Sequence, residues 1–370
     1  MINRLISFWQ KIDWVLLTTI LLLAFFGLAA IYSVALGQGR GEFFNFQKQI
    51  VWLLIGLVVM FIAANIDYRF WKKISWPGYI LSIVLLIAVL TPLGSTIRGT
   101  RGWFVVGSVN FQPVELIKIF MIMVLAGAYS YGARSISKLR HLFLISLVMI
   151  LPLIAVVVQP DFGSAMILFF VWLISFILVS KNKKHFFMIA ISILLALAVS
   201  WMFLFQDYQK DRIRTFLDPS LDPLGSGYNV SQSLIAVGAG RTFGRGLGFG
   251  SQSQLKFIPE SQTDFIFAVI AEELGFVGVL ILLSLFLIMF WRLFYIAQRA
   301  PDDFGMFVVI LVAILIFVHI IINIGMGMGL LPVTGISLPL VSYGGSFLVI
   351  ILFLFGVCFN VYKNGLVFKK

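Results

Sequence analysis

Ten stretches of this chain are apolar enough and long enough to cross a bilayer, and that pattern decides its fold class. They fall at about 14–34, 49–66, 74–92, 113–130, 141–158, 162–180, 185–205, 265–291, 306–328 and 340–362. A helix needs roughly 17–25 mostly apolar residues to span the hydrocarbon core. Inside lipid every backbone N–H and C=O must find a partner within the chain, so such stretches become helices. Only 11% of the residues are charged, against roughly 25% in a soluble domain, so lipid rather than water must solvate most of the surface. The expected architecture is all-α and polytopic: one transmembrane domain over residues 1–370, with about ten helices. The first run is long for a signal-peptide core and no strong cleavage site follows it, so it is kept as a helix of the mature protein.

The basic residues orient this bundle. Arg4 and Lys11, then Arg69, Lys72 and Lys73, then Arg134, Lys138 and Arg140 lie in alternate spacers. Lys181, Lys183 and Lys184, then Arg292 and Arg299, then Lys363, Lys369 and Lys370 continue the alternation. The other short loops hold only Arg40, Lys48, Arg98 and Arg101. The positive-inside rule places both termini in the cytoplasm. The formal net charge of +12 is thereby explained by orientation, with phosphate groups on lipids or on a substrate taking the rest, and no nucleic-acid partner is expected. The single cysteine, Cys358, excludes an intramolecular disulfide.

One connection departs from the pattern. Residues 206–263, between the seventh and eighth helices, form a long outer loop that keeps Tyr208, Phe216, Tyr228 and Ile235. Long loops in compact proteins are functional or disordered, and these apolar residues favour an ordered loop packed on the membrane face. The second longest outer loop, about 93–112, is expected beside it.

Ionisable residues in a span cost about 2.5–3.5 kcal/mol each on insertion scales and persist when paired or used. Glu115 and Lys118 lie three apart near the outer end of the fourth helix, where they share a face. A salt bridge at a helix start and a polar lining of an outward cavity explain them about equally well. Asp161 follows Gln159-Pro160 at a short outer turn, where an ordinary helix cap is the plainer reading. Asp264 stands where the long loop meets an apolar helix. Its plain reading is again a helix start, with Thr263 as cap and Asp264 in the first turn. Its functional reading is a general base toward a sugar hydroxyl at the lipid–water boundary. Glu272 and Glu273 sit two turns deeper, about 100° apart on the helix, so one can face a cavity while the other faces a neighbouring helix.

The long loop also carries Gly238-Ala239-Gly240-Arg241-Thr242-Phe243-Gly244-Arg245-Gly246-Leu247-Gly248-Phe249-Gly250. Glycines let backbone N–H groups turn toward an anion, and Arg241 and Arg245 suit phosphate oxygens, with Arg212, Arg214 and Arg101 able to contribute. A flexible loop with solvated arginines explains the same residues. His141, His185 and His319 are scattered, so no structural metal and no cofactor are expected; a divalent cation remains compatible with the sequence. These features fit an enzyme acting on a lipid pyrophosphate, and equally a transporter of an anionic lipid.

Several ordered motifs resemble the SEDS family (shape, elongation, division and sporulation) over about Ile12 to Asn364. They are Arg101-Gly102-Trp103 with Phe111-Gln112-Pro113-Val114-Glu115, and Gln159-Pro160-Asp161-Phe162-Gly163. Phe216-Leu217-Asp218-Pro219, Asp222-Pro223-Leu224-Gly225-Ser226-Gly227-Tyr228 and Gln232-Ser233 follow. The longest runs from Pro259-Glu260-Ser261-Gln262-Thr263-Asp264 through Phe265-Ile266-Phe267-Ala268 to Glu272-Glu273-Leu274-Gly275, and the last is Pro339-Leu340-Val341-Ser342-Tyr343-Gly344-Gly345-Ser346. Gly250-Ser251-Gln252-Ser253-Gln254-Leu255 is similar to the elongation branch, the RodA proteins, rather than the division branch, the FtsW proteins. Val114 replaces a common Ser, and Ser261-Gln262 replaces a basic or His-containing pair.

The resemblance implies a ten-helix glycosyltransferase of the bacterial cytoplasmic membrane that polymerises lipid II on the outer face during elongation of rod-shaped cells. It places the essential aspartate on Asp264 and the paired Glu and Lys on Glu115 and Lys118. The implied lining adds Asp161, Arg101, Arg212, Arg241, Arg245, Glu260, Glu272, Ser342 and Tyr343. The 4-hydroxyl of a GlcNAc would attack the anomeric carbon of MurNAc, and undecaprenyl pyrophosphate would leave. A single displacement inverts the α-linked donor, so one base suffices. The implied partner is a class B penicillin-binding protein, the crosslinking transpeptidase. A lipid II flippase and a non-catalytic scaffold for the transpeptidase are the rival readings; an O-antigen-type polymerase would lack these motifs.

Overall fold

The computed structural model describes residues 12–38, 40–97, 99–107, 109–132, 139–180, 207–218, 221–222 and 225–367. Nine of the expected spans meet a helix among these residues. They are α1 (Trp14–Gln38), α2 (Arg40–Asn65), α3 (Tyr68–Ala88), α4 (Pro113–Gly132), α5 (Leu139–Val158) and α6 (Phe162–Val179), then, after the long loop, α10 (Ile266–Gln298), α11 (Asp303–Gly327) and α12 (Gly345–Val367). Eight are long and apolar enough to cross a membrane, with Ile145–Val158 a shorter apolar segment. The expected helix at 185–205 lies outside the described residues.

The long outer loop is built, not slack. It contains α7 (Asp207–Leu217), α8 (Ser226–Gly240) and the single turn α9 (Ser251–Gln254). Helix α8 packs against α10, and the Ser233 hydroxyl donates to the Gly327 carbonyl at the end of α11, 2.6 Å away. The other outer loop holds the one departure from helix and turn among the described residues: β1 (Ser95–Ile97), β2 (Thr100–Val106) and β3 (Val109–Phe111) form an antiparallel meander. Its β-branched and aromatic residues suit a strand, but the run is too short to show periodicity.

Contacts between loops confirm the alternation that charge predicts. Arg292, near the end of α10, makes a two-pronged ion pair with buried Asp13 at the start of α1. The Tyr68 hydroxyl donates to Asp302 (2.7 Å), and its backbone N–H donates to the Asn360 side-chain carbonyl (2.9 Å). The starts of α1, α3 and α11 and the ends of α10 and α12 therefore share one face, the one that the basic residues assign to the cytoplasm. Helix α11 is central and buried along most of its length, and α12 lies along α2. Gly356 there meets the Met60 carbonyl so closely that a Cβ would collide, the small-residue approach typical of membrane helices.

Helix α10 is two helices joined at a break. Gly275 has φ 64° and ψ −164°, a conformation open essentially to glycine alone. Residues 266–273 are all buried in protein, and the lipid-facing surface starts at Phe276. The break frees backbone groups inside the buried bundle, and the glycine-rich loop satisfies them. Arg245 and Gly246 donate their N–H groups to the carbonyls of Glu272 and Glu273 (both 2.9 Å). Phe276 and Val277 donate theirs to the carbonyls of Arg241 and Thr242 (2.9 and 3.0 Å). This accounts for the glycines: a side chain on Gly244 would strike Glu273 and Leu274.

Candidate active site

The site grows from a turn at 259–265 at the outer end of α10. The Glu260 carbonyl accepts the N–H groups of Thr263 and Asp264 (3.1 Å each) and of Phe265 (3.3 Å). Helix α10 is capped by Phe265, and its first turn holds no acid. Thr263 bonds back to the Glu260 carboxylate (2.9 Å) instead of capping the helix. The plain reading of Asp264 as a first-turn carboxylate is thus not what the turn builds. Asp264 stands before the helix, half-buried, its Oδ2 facing Gly335.

Three consecutive carbonyls of this turn are each held by a donor from α11 or from the chain before α12. The Tyr343 N–H donates to the Gln262 carbonyl (2.8 Å), the Ser342 hydroxyl to the Thr263 carbonyl (2.6 Å), and the Asn323 side-chain amide to the Asp264 carbonyl (2.9 Å). Each donor is fixed in turn. Ser342 Oγ accepts the Leu338 N–H (2.8 Å). Gln49 of α2 donates to the Ser342 carbonyl (3.1 Å) and accepts from the Gly344 N–H (3.2 Å). Asn323 also donates to the Ile336 carbonyl (2.6 Å).

A buried ion pair lies on the far side of the 335–338 segment. Lys118 Nζ is 2.6 Å from Glu115 Oε1, both side chains being nearly inaccessible. Lys118 also stands over the Phe347 ring (5.3 Å), on which His319 stacks (4.6 Å). His319 Nδ1 approaches the Ser337 carbonyl (3.3 Å), and Asn323 follows one turn later on α11. The Glu115–Lys118 pair and the Asp264 turn therefore meet through His319, Asn323 and the chain at 335–338.

Other expected residues do different work. Asp161 caps α6: its Oδ1 accepts the Ser164 N–H (2.9 Å), and its Oδ2 accepts the Ser164 hydroxyl (2.8 Å) and the Gln112 amide (3.0 Å). The plain reading of that residue is the one the structure builds. Glu272, expected to line a cavity, is instead fully buried and accepts the N–H groups of Gln252 (2.8 Å) and Ser253 (3.0 Å). A carboxylate at the start of α9 satisfies donors that a single turn leaves open. Glu273 is bonded to Ser33 (2.7 Å), Ser253 and Gln254, so neither acid faces an opening. Ser342 spends its hydroxyl on the chain, and Tyr343 contributes its backbone. Arg101 on β2 reaches the Thr91 carbonyl (3.0 Å). Arg241 and Arg245 are exposed, Arg245 Nε donating to the Ala239 carbonyl (3.0 Å). Arg212 lies on α7. No group of three His, Cys, Asp or Glu converges among the described residues.

Asn323 and Gln49 were not singled out from sequence. The signal for Asn323 is nonetheless present, because an amide within an apolar run must find partners.

Such a bundle, with Asp264 on an anchored turn before α10 and a buried Glu–Lys pair linked to that turn through α11 and the 335–338 segment, defines a multi-pass membrane protein. The family model for FtsW, RodA and SpoVE cell cycle proteins matches residues 13–365, and the chain belongs to this SEDS family. It is 36% identical over 369 residues to the peptidoglycan glycosyltransferase MrdB of Escherichia coli K12, covering 98% of this chain and 97% of that one. It is 38% identical over 360 residues to stage V sporulation protein E of Bacillus subtilis 168, covering 94% and 96%. Among solved structures, a chain of a peptidoglycan synthase complex that coordinates polymerization and crosslinking superposes with TM-score 0.80 at 30% identity, covering 96% and 98%. The rod shape determining protein RodA of Thermus thermophilus superposes with TM-score 0.71 at 28% identity, covering 96% and 98%.

Proposed function

We infer that the chain is a peptidoglycan glycosyltransferase that polymerises lipid II on the outer face of the bacterial cytoplasmic membrane. The observation that carries the site is the anchoring of carbonyls 262–264 by three separate donors, which holds in one place the backbone that carries the Asp264 carboxylate. General-base catalysis needs that fixity, because a proton acceptor works only within hydrogen-bond reach of the hydroxyl it serves.

In the step we propose, Asp264 takes the proton of the acceptor sugar's 4-hydroxyl. That oxygen forms a bond to the donor's anomeric carbon. The bond from this carbon to the pyrophosphate oxygen breaks, and undecaprenyl pyrophosphate leaves with the electron pair. The step uses no resident cofactor. Arg101 adds positive charge on the outer face, where the leaving group's charge develops. The Glu115–Lys118 pair supports the 335–338 segment that Asp264 faces. The superposition on a chain of a polymerizing and crosslinking complex supports a transpeptidase partner, a class B penicillin-binding protein.

The test is lipid II polymerisation by purified protein, with and without that partner, comparing wild type with Asp264→Asn at equal folding and equal partner binding. Glycan chains from wild type alone support the assignment. Equal polymer from both removes Asp264 from the chemistry, and no polymer from either shifts the weight to a flippase or a scaffold.

A further inference from the structure

The outer loop beside the Gly275 break exposes apolar and basic side chains in alternation. Phe243 is 82% and Phe249 78% exposed, and Leu247, Arg241, Arg245 and Lys256 are exposed with them. Such rings normally fold onto the protein. Here they are held out, because the backbone beneath them is stitched into the break and pinned to α1, where the Gly248 N–H donates to Ser33 (2.7 Å).

Two measures place this loop at the membrane boundary. Ser33 lies about 28 Å along α1 from Trp14, close to the roughly 30 Å depth of a hydrocarbon core. With exposed Trp14 marking the inner interface, the loop sits at the outer one. The loop's neighbours agree: Phe276, Leu280 and Ile281 of α10 are exposed below the break, as is Leu36 on α1. The rings thus continue a lipid-facing surface upward. Aromatic side chains favour this level, and basic side chains beside buried apolar ones suit anionic headgroups.

We propose that the 241–257 loop is an interfacial anchor. It inserts Phe243, Leu247 and Phe249 among the acyl chains of the outer leaflet and holds the phosphates of anionic phospholipids with Arg241, Arg245 and Lys256. The inference rests on the membrane fold and stands apart from the glycosyl-transfer reading.

The full chain carrying Cys358→Ser and a fluorophore on Phe249→Cys is reconstituted in phosphatidylcholine vesicles with and without phosphatidylglycerol. Quenching by spin-labelled phospholipid and by aqueous iodide is read for each. We expect lipid quenching in both, strengthened by phosphatidylglycerol, with the affinity for that lipid falling about fivefold for each of Arg241→Gln, Arg245→Gln and Lys256→Gln. Iodide quenching alone would overturn the proposal, as would lipid quenching indifferent to phosphatidylglycerol. Shielding that needs high protein density would assign the face to a second copy. Displacement of phosphatidylglycerol by micromolar lipid II, absent from the three variants, would give the basic residues to the substrate instead.

Discussion

The side-chain amide of Asn323 donates to the backbone carbonyl of Asp264 at 2.9 Å, and its other hydrogen reaches the Ile336 carbonyl at 2.6 Å. One residue buried in α11 thus ties the turn that carries the carboxylate to the segment the carboxylate faces. Asn323→Ala should lower stability by about 1–3 kcal/mol through unpaired carbonyls. A misplacement near 1 Å costs on the order of 100-fold in rate, so kcat should fall far more than KM for lipid II changes. An unchanged kcat in variants that melt normally would mean that the clamp does not govern the site.

Gly275→Ala forces a side chain into a conformation and a space that exclude one. Strain of about 1–3 kcal/mol is expected from the backbone alone, with the contact to the 242–244 chain added. Gly244→Ala should act on the same join, so the two losses should not sum. Melting of both single variants and the double variant in one detergent decides this, and strict additivity would count against a shared join.

Breaking the Glu115–Lys118 pair from either side leaves a lone buried charge, at about 3–5 kcal/mol. Glu115→Gln with Lys118→Met removes both charges and should recover most of that stability. If polymerisation stays lost in the recovered protein, the pair serves more than folding; if activity returns with stability, its role is structural.

Asp161→Ala removes a cap worth about 0.5–2 kcal/mol and the hold on Gln112. The midpoint of thermal unfolding should drop while initial rates, taken well below it, stay within a few-fold of wild type. A collapse of rate at full folding would restore Asp161 to the substrate site.

Spans and orientation were legible because hydrophobic length and basic-residue placement act locally along the chain. Nine runs met helices, and the Asp13–Arg292 and Tyr68–Asp302 contacts fall on the side that the charges foretold. The acids were harder to sort. Asp161, Glu272 and Asp264 look alike in sequence, each beside a helix start or within one, yet the first two cap helices and Asp264 does not. That distinction depends on Gln112, Gln252 and Tyr343, partners distant in sequence that only the folded bundle brings near. The β meander was missed because strands this short carry no periodic signal, and Asn323 because an amide draws less notice than a charge.

The interrupted α10 separates two jobs that a continuous helix would merge. Residues 276–298, about 34 Å long, match the bilayer, whereas the 266–274 segment, about 13 Å long, is enclosed by protein. Asp264 is therefore carried on a part enclosed by protein, and its height is fixed by that rigid part and not by bilayer thickness or helix tilt. A polymer growing from a lipid anchor would present each new sugar at the same elevation, however long the strand had already become.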